Sequence, residues 1–316
     1  MLIKTSVCIT LLDEEKTILD ILTVLFSQTT KPDEVVIVDG SSKDRTIQII
    51  NHFQKKHKSV KLLKEKCNRA RGRNLAVDIA KNEIIVMTDA GCIPSKNWLE
   101  NITKPFESKN IDVVAGFYEM AYKNKLQKAE SFFLGVLPNK YSMNFLPSTR
   151  SIAFKKEIWE KVGGFPENLD QAAEDTVFNY KLIKHNAKFV RMKNAVVEWG
   201  MPLTLKEYYL KILTYAKSDV QTNIWFFPGK GITSHNIKSL FVLLRYLFSL
   251  FLLIIIINNS LSPLYLFFLL FIYIIYSFRK VYLAFGEIET AFYGIFLQFI
   301  TDIAVMSGLM TGLVKK

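Results

Sequence analysis

The sequence is poor in the residues that hold metals and close disulfides. Its 316 residues contain three cysteines, Cys8, Cys67 and Cys92, and four histidines, His52, His57, His185 and His235. The cysteines are odd in number, far apart and without metal-ligand spacing. They read as reduced, cytosolic thiols and not as a disulfide framework or a zinc site. The histidines form no cluster and read as surface or structural residues. No internal repeat, low-complexity linker, RNA-binding box, zinc-finger spacing or heptad basic region is present, so nucleic acid is not an expected partner. The opening run, Met1–Thr10, is too short and too soon followed by charge for a secretory signal, and the soluble part is expected to begin in the cytoplasm.

Acidic residues are in deficit too: 41 Lys and Arg stand against 29 Asp and Glu, a net charge of +12. Residues 239–316 hold five basic and three acidic side chains, so ten of the excess charges belong to residues 1–238. An excess of that size suits an anionic lipid surface or a phosphate-bearing substrate.

What the sequence has in abundance is apolar length at one end. The chain is long enough for one large domain plus something smaller, and from about Ser239 it turns almost wholly apolar and aromatic. Three stretches, about 239–257, 261–278 and 284–314, each approach the ~20 residues that cross a bilayer. Arg245 in the first is expected near an end, where its side chain can snorkel to the interface. The link 258–263 carries no charge whereas the next carries Arg279 and Lys280, which places the second link, and the soluble domain with it, in the cytoplasm. The third stretch, interrupted by Glu287, Glu289 and Asp302 and followed by Lys315 and Lys316, either spans or lies in the interface.

Before that point, short β-branched runs alternate with helical periodicity. Residues 6–12, 34–38, 60–63 and 83–87 predict strands, and 14–26, 44–53 and 70–81 predict helices, the second with Asp44 as its cap. That alternation predicts a mostly parallel, doubly wound sheet. Residues 111–118 predict another strand. The pattern loosens over 122–149, which reads as acceptor-side material. Further on, 151–154 and 196–199 read as strands, and 155–162, 175–185 and 203–217 as helices.

In open α/β sheets ligands sit beyond the carboxyl ends of the strands, and Asp39 and Asp89 both fall at such ends. Either alone reads as a helix cap or turn former. Together they suit a nucleotide: one carboxylate for ribose hydroxyls or a base N–H, the other for a divalent cation against a diphosphate.

The runs IVDGSSKDRT (37–46), RARGRNLAVDIAKNEIIVMTDAGCIP (69–94) and AEDTVF (173–178) resemble, in order and spacing, the family 2 glycosyltransferases of GT-A fold. PSTRSIAFKKEIWEKVGGFPE (147–167) extends the likeness, which covers roughly residues 4–220. The resemblance implies a GT-A type, Rossmann-like, mostly parallel α/β sheet over 1–235. A membrane region of two or three transmembrane or interfacial helices follows over 239–314. It also implies an inverting enzyme at the cytoplasmic face of the cell membrane, taking its sugar from a nucleotide-diphosphate donor. Asp39 and Ser41 would then bind the donor's nucleoside. Asp89 would stand near ribose, diphosphate and a divalent cation, Mg2+ or Mn2+, as its ligand. Arg69, Arg71 and Arg150 would join in donor binding, with Arg73 a further candidate to neutralise the diphosphate. Asp175 would be the catalytic base, held ionised by a helix N-terminus and opposed by the neighbouring Glu174.

Two departures bear on the metal. Gly91 replaces the second carboxylate of Asp-x-Asp, and Glu198-Trp199-Gly200 stands where many members place a metal-binding histidine. The Gln-x-x-Arg-Trp signature of polymerising members is also missing, which implies transfer of one sugar to a glycan or lipid-linked acceptor. The alternatives are a polyprenyl-phosphate sugar synthase, a catalytically silent nucleotide-sugar-binding scaffold at the membrane and a transporter with a regulatory head. The last has too small a membrane part for a substrate path.

Overall fold

The computed structural model describes residues 3–108, 110–169, 172–226, 234–258 and 261–314. Part of the 258–263 link, and Lys315 and Lys316, lie outside the described residues. In chain order the elements are β1 (Thr5–Leu11), α1 (Ile18–Phe26), β2 (Glu34–Asp39), α2 (Thr46–Lys56), β3 (Val60–Lys64), α3 (Arg69–Ile79) and β4 (Ile84–Met87). There follow β5 (Cys92–Pro94), α4 (Trp98–Thr103), β6 (Val113–Ala121), α5 (Lys125–Leu134), β7 (Ile152–Lys155), α6 (Lys156–Lys161), α7 (Glu174–Lys184) and β8 (Phe189–Gly200). The chain ends with α8 (Leu205–Gln221), α9 (His235–Ile257), α10 (Leu264–Phe285) and α11 (Ile288–Val314).

These elements pack into two units. One comprises the residues up to Ala121 together with Pro138–Gly200, and the other Tyr122–Leu137 with the residues from Met201 on. The change of unit at Gly200 thus falls ahead of the change of composition at 239.

The first unit is an α/β sheet of eight strands in the order β3-β2-β1-β4-β7-β6-β8-β5. The four early strands pair in parallel, as their β-α-β alternation requires. β7 then runs antiparallel to both β4 and β6, and β5 antiparallel to β8, so the sheet is mixed. β1, β2 and β4 are apolar on both faces because helices cover both sides, and Cys8, Val36, Val38, Ile85 and Met87 lie in the core they share. The helix expected from Glu14 starts at Ile18. Asp13 takes a left-handed φ of 55°, and the amides of Thr17 and Ile18 both donate to the Glu14 carbonyl in a tight turn.

Register decides where the later strands deliver their loops. In the antiparallel pair β4/β7, Met87 faces Ile152. Asp89, two residues past the one, therefore emerges beside Arg150, two residues before the other. In β5/β8, Cys92 faces Trp199, so the turn carrying Gly91 leads to the position beside that tryptophan. The crossing is tight at Gly116, where β6 slips register against β8. A Cβ there would collide with the Ser151 hydroxyl and lie 2.8 Å from the Ala195 carbonyl.

In the second unit α9, α10 and α11 are each long and apolar enough to cross a membrane. At ~1.5 Å per residue their 23, 22 and 27 residues exceed the ~30 Å hydrocarbon thickness. They differ in how much protein covers them: none of the most apolar stretch of α9 is buried, against 11% for α10 and 39% for α11. The cover on α11 comes chiefly from α8, with α10, α5 and α9 also packing on it. Gly308 and Gly312 let α8 approach, since Cβ atoms there would lie 2.5 Å from the Leu213 carbonyl and 2.8 Å from that of Lys217.

Arg245 stands eleventh among the 23 residues of α9, well inside the helix and not near its end. What makes it tolerable is Asp302 of α11, 1% exposed, whose carboxylate lies 2.8 Å from the guanidinium and also accepts from the hydroxyls of Tyr246 and Tyr273. One of the three acidic residues that interrupt the third apolar stretch is thus paired with the basic residue that interrupts the first.

Candidate active site

The site forms around an arginine. α3 is capped by Asn68, whose side chain accepts from the amide of Arg71, and its first turns carry Arg69, Arg71 and Arg73. Residues four apart share a helix face and residues two apart do not. Arg69 and Arg73 accordingly face one way and Arg71 another. Arg73 is 2% exposed. One end of its guanidinium donates to Asp89 Oδ1 at 3.0 Å and the other to Glu174 Oε1. A buried cation thereby joins the end of β4 to the start of α7. Arg69 reaches the same Glu174 oxygen at 3.9 Å from a half-exposed position.

α7 is held in place by Phe178, which packs on Phe165 and Phe154, and by the Asn179 amide, which donates to the Pro147 carbonyl at 2.7 Å. The helix starts after Ala173, whose φ of 68° is left-handed. Asp175 stands in its first turn and accepts the amide of Thr176 at 2.8 Å. The helix terminus is expected to hold Asp175 ionised, with Glu174 opposing it. Instead burial, reinforced by the charge of Glu174, pushes its carboxyl above the usual carboxylate range, with Arg73 and Arg150 opposing. Asp89 goes the other way: burial raises it, but Arg73, then Arg150 and Arg69, hold it below its ordinary value. Two carboxyls acting on one arginine are therefore set apart in acidity.

Arg150 lies with its guanidinium carbon 3.8 Å above the centre of the Trp199 ring and 5.2 Å from that of Tyr118. The two rings meet edge to face at 5.8 Å. Glu14, after β1, joins the group through its charge: burial, then Asp89 and Asp44, push its carboxyl up.

The remaining expected residues lie apart from this cluster. Asp39, expected at the carboxyl end of a strand, is the last residue of β2 and is 0% exposed. Its carboxylate shapes the turn that follows, accepting the amides of Ser41 and Ser42 at 3.0 Å each and the Ser42 hydroxyl at 2.5 Å. Ser41 is exposed at a left-handed φ of 85°. Asp44 was expected to cap α2; it accepts from Thr46 and Glu15 while Arg45 takes the cap position. Arg71 pairs with Glu167 at 3.3 Å in a groove of about 500 Å³ that Asn74 and Trp159 also line.

A divalent cation at Asp89 meets a poor donor set. Oδ1 already accepts from Arg73, position 91 offers no side chain, and position 199 is a tryptophan under an arginine. Among the described residues no group of three His, Cys, Asp or Glu side chains is placed to hold a metal. The residues present do not fit the cation.

Against known families, residues 6–160 match the model of glycosyl transferase family 2. The chain carries a family 2 glycosyltransferase domain. The match stops short of α7, so Glu174 and Asp175 fall outside it. Glycosyltransferase AglE of Haloferax volcanii is 26% identical over 171 residues, 52% of this chain and 56% of the relative. The O-antigen chain rhamnosyltransferase WbaN of Salmonella anatum is 26% identical over 195 residues, 58% of this chain and 61% of the relative. The chain thus spans little more than half the length of these relatives. Among solved structures, the mannosyltransferase PcManGT of Pyrobaculum calidifontis, in complex with GDP-Man and Mn2+, superposes with a TM-score of 0.68. It is 20% identical, over 99% of this chain and 88% of its own, a likeness of fold.

Arg73 as the centre of the site, and Trp199 as the platform of Arg150, were not singled out from the sequence. The spacing of Arg69 and Arg73 was the available sign of the first. The second depends on the pairing of β5 with β8, and no local signal carries it.

Proposed function

We propose that this chain is an inverting, non-processive glycosyltransferase that moves one sugar from a nucleotide-diphosphate donor to a glycan or lipid-linked acceptor at the cytoplasmic membrane face. Cell-surface polysaccharide or glycolipid synthesis is the setting that its relatives suggest. The reading rests on buried Arg73 pairing with Asp89 and Glu174, with the charge of Asp175 acting on it too, beyond the carboxyl end of a central strand. Asp39 and the Ser41 turn that it shapes would receive the nucleoside, and Asp89 the ribose and diphosphate side. As an acceptor hydroxyl attacks the anomeric carbon, the bond to the diphosphate breaks and Asp175 takes the proton. A carboxyl raised by burial is a better proton acceptor than an ordinary one. A single displacement inverts the anomeric centre.

The test is release of nucleoside diphosphate across a panel of nucleotide sugars, with the product's anomeric configuration read by NMR. Asp175→Asn keeps the shape but not the basicity, and should lower turnover by about 10²–10⁴-fold with donor binding intact. Retained anomeric configuration, or more than about a tenth of the rate in Asp175→Asn, defeats the reading.

A further inference from the structure

On that proposed activity rests a second step: we infer that Arg150, clamped on Trp199 and Tyr118, takes the place of a divalent cation at the donor diphosphate, so that donor binding needs no metal.

The positions concerned are open to a different choice. A Cβ on Gly91 would meet nothing within 4 Å, and its φ is not left-handed, so neither space nor backbone requires glycine there. A carboxylate would fit and none is present. The other position holds Trp199, 7% exposed, with the Arg150 guanidinium stacked 3.8 Å over its ring. The β4/β7 register sets Arg150 beside Asp89, and its charge acts on Asp89 and on Asp175 alike. A permanent cation thus acts on both the residue assigned to the donor and the one assigned to the base, while at Asp89 a metal would find one carboxylate oxygen already taken by Arg73.

A diphosphate leaving group gains one negative charge as the glycosidic bond breaks, and a planar guanidinium matches phosphate oxygens in two parallel hydrogen bonds. Stacking on an indole face holds that plane without consuming its N–H donors. Arg150 is here the ligand-contacting residue, and Trp199 and Tyr118 position it.

The experiment is calorimetric titration of the full chain in detergent with UDP and with GDP, once in EDTA and once with Mn2+. Whichever nucleotide binds should do so with the same affinity in both buffers. Arg150→Ala should weaken binding in EDTA by about tenfold to a hundredfold. Arg150→Gln, which keeps the length of the side chain and removes its charge, should weaken it as much, and carries the test if the alanine variant unfolds. Trp199→Phe, retaining an aromatic face, should lose less than Trp199→Leu. Binding that appears only with Mn2+, or arginine variants that bind like the wild type in EDTA, overturn the metal-free assignment and leave the transferase reading standing. Absence of binding by either nucleotide in both buffers, with no turnover in the donor panel, overturns both.

Discussion

Asp39 illustrates how a residue's burial changes what its substitution tests. From the sequence it is a carboxylate at a strand end, free to meet a nucleoside. In the structure it is fully buried and accepts three hydrogen bonds from the turn at Ser41 and Ser42. Removing it leaves two backbone amides without their partner, so Asp39→Ala should cost about 1–3 kcal/mol of stability in addition to any loss of donor affinity. Denaturation of the variant in detergent measures this, and an unchanged midpoint would mean that the turn does not depend on the carboxylate. Asp89 and Asp175 were found from their motif, but the buried arginine that places both was not. The motif names residue types along the chain, and only packing tells which guanidinium lies between two carboxylates.

At the scale of elements, the β-α alternation of the first ninety residues was legible because each strand is followed at once by the helix that covers it. Longer-range features were not. β5, three residues long, exists only because β8 lies alongside it, and α5 lay inside the stretch read as irregular. That helix carries Glu130, 1% exposed, with one carboxylate oxygen lacking a hydrogen-bond partner among the described residues. Burial, partly offset by Lys211, pushes its carboxyl up to about 7. A carboxyl raised in the folded state binds its proton more tightly there than in the unfolded chain. It costs nothing below the unfolded value near ~4.3, and stability falls as pH rises from there through about 7. Glu130→Gln should therefore unfold like the wild type at pH 4 and be the more stable protein at pH 8, by up to about 3 kcal/mol. A difference that does not vary with pH would show that Glu130 is not buried as an acid.

For the whole molecule, composition alone marked where the three long apolar helices lie, since a run of apolar residues is recognisable without reference to any other part of the chain. The expected orientation rests on Arg279 and Lys280, and Glu287 follows them in the chain. This residue, in the turn between α10 and α11, pairs with Lys125 at 2.8 Å and Lys128 at 2.6 Å. Those two lysines hold its carboxyl down at about 2. The turn is thereby tied to α5 within the second unit. A reporter inserted in the 258–263 link should face outward and one at Gly286 inward, with the protein staying in the membrane through a high-salt wash. The reverse pattern of reporter activity would turn the catalytic domain to the other side.

The position of α5 in the chain has a consequence for biogenesis. The helix is synthesised as part of the catalytic sequence, yet its packing partner α11 begins at Ile288, after two further apolar helices. At ~5–20 residues per second, roughly ten to thirty seconds separate their appearance from the ribosome. Throughout that interval the face of α5 that packs on α11 lacks its cover. A truncation meant to yield a soluble catalytic fragment, cut at residue 235, would make that interval permanent. Such a fragment would retain every residue assigned to the chemistry and be prone to aggregate, so its failure to express would say nothing about the active site.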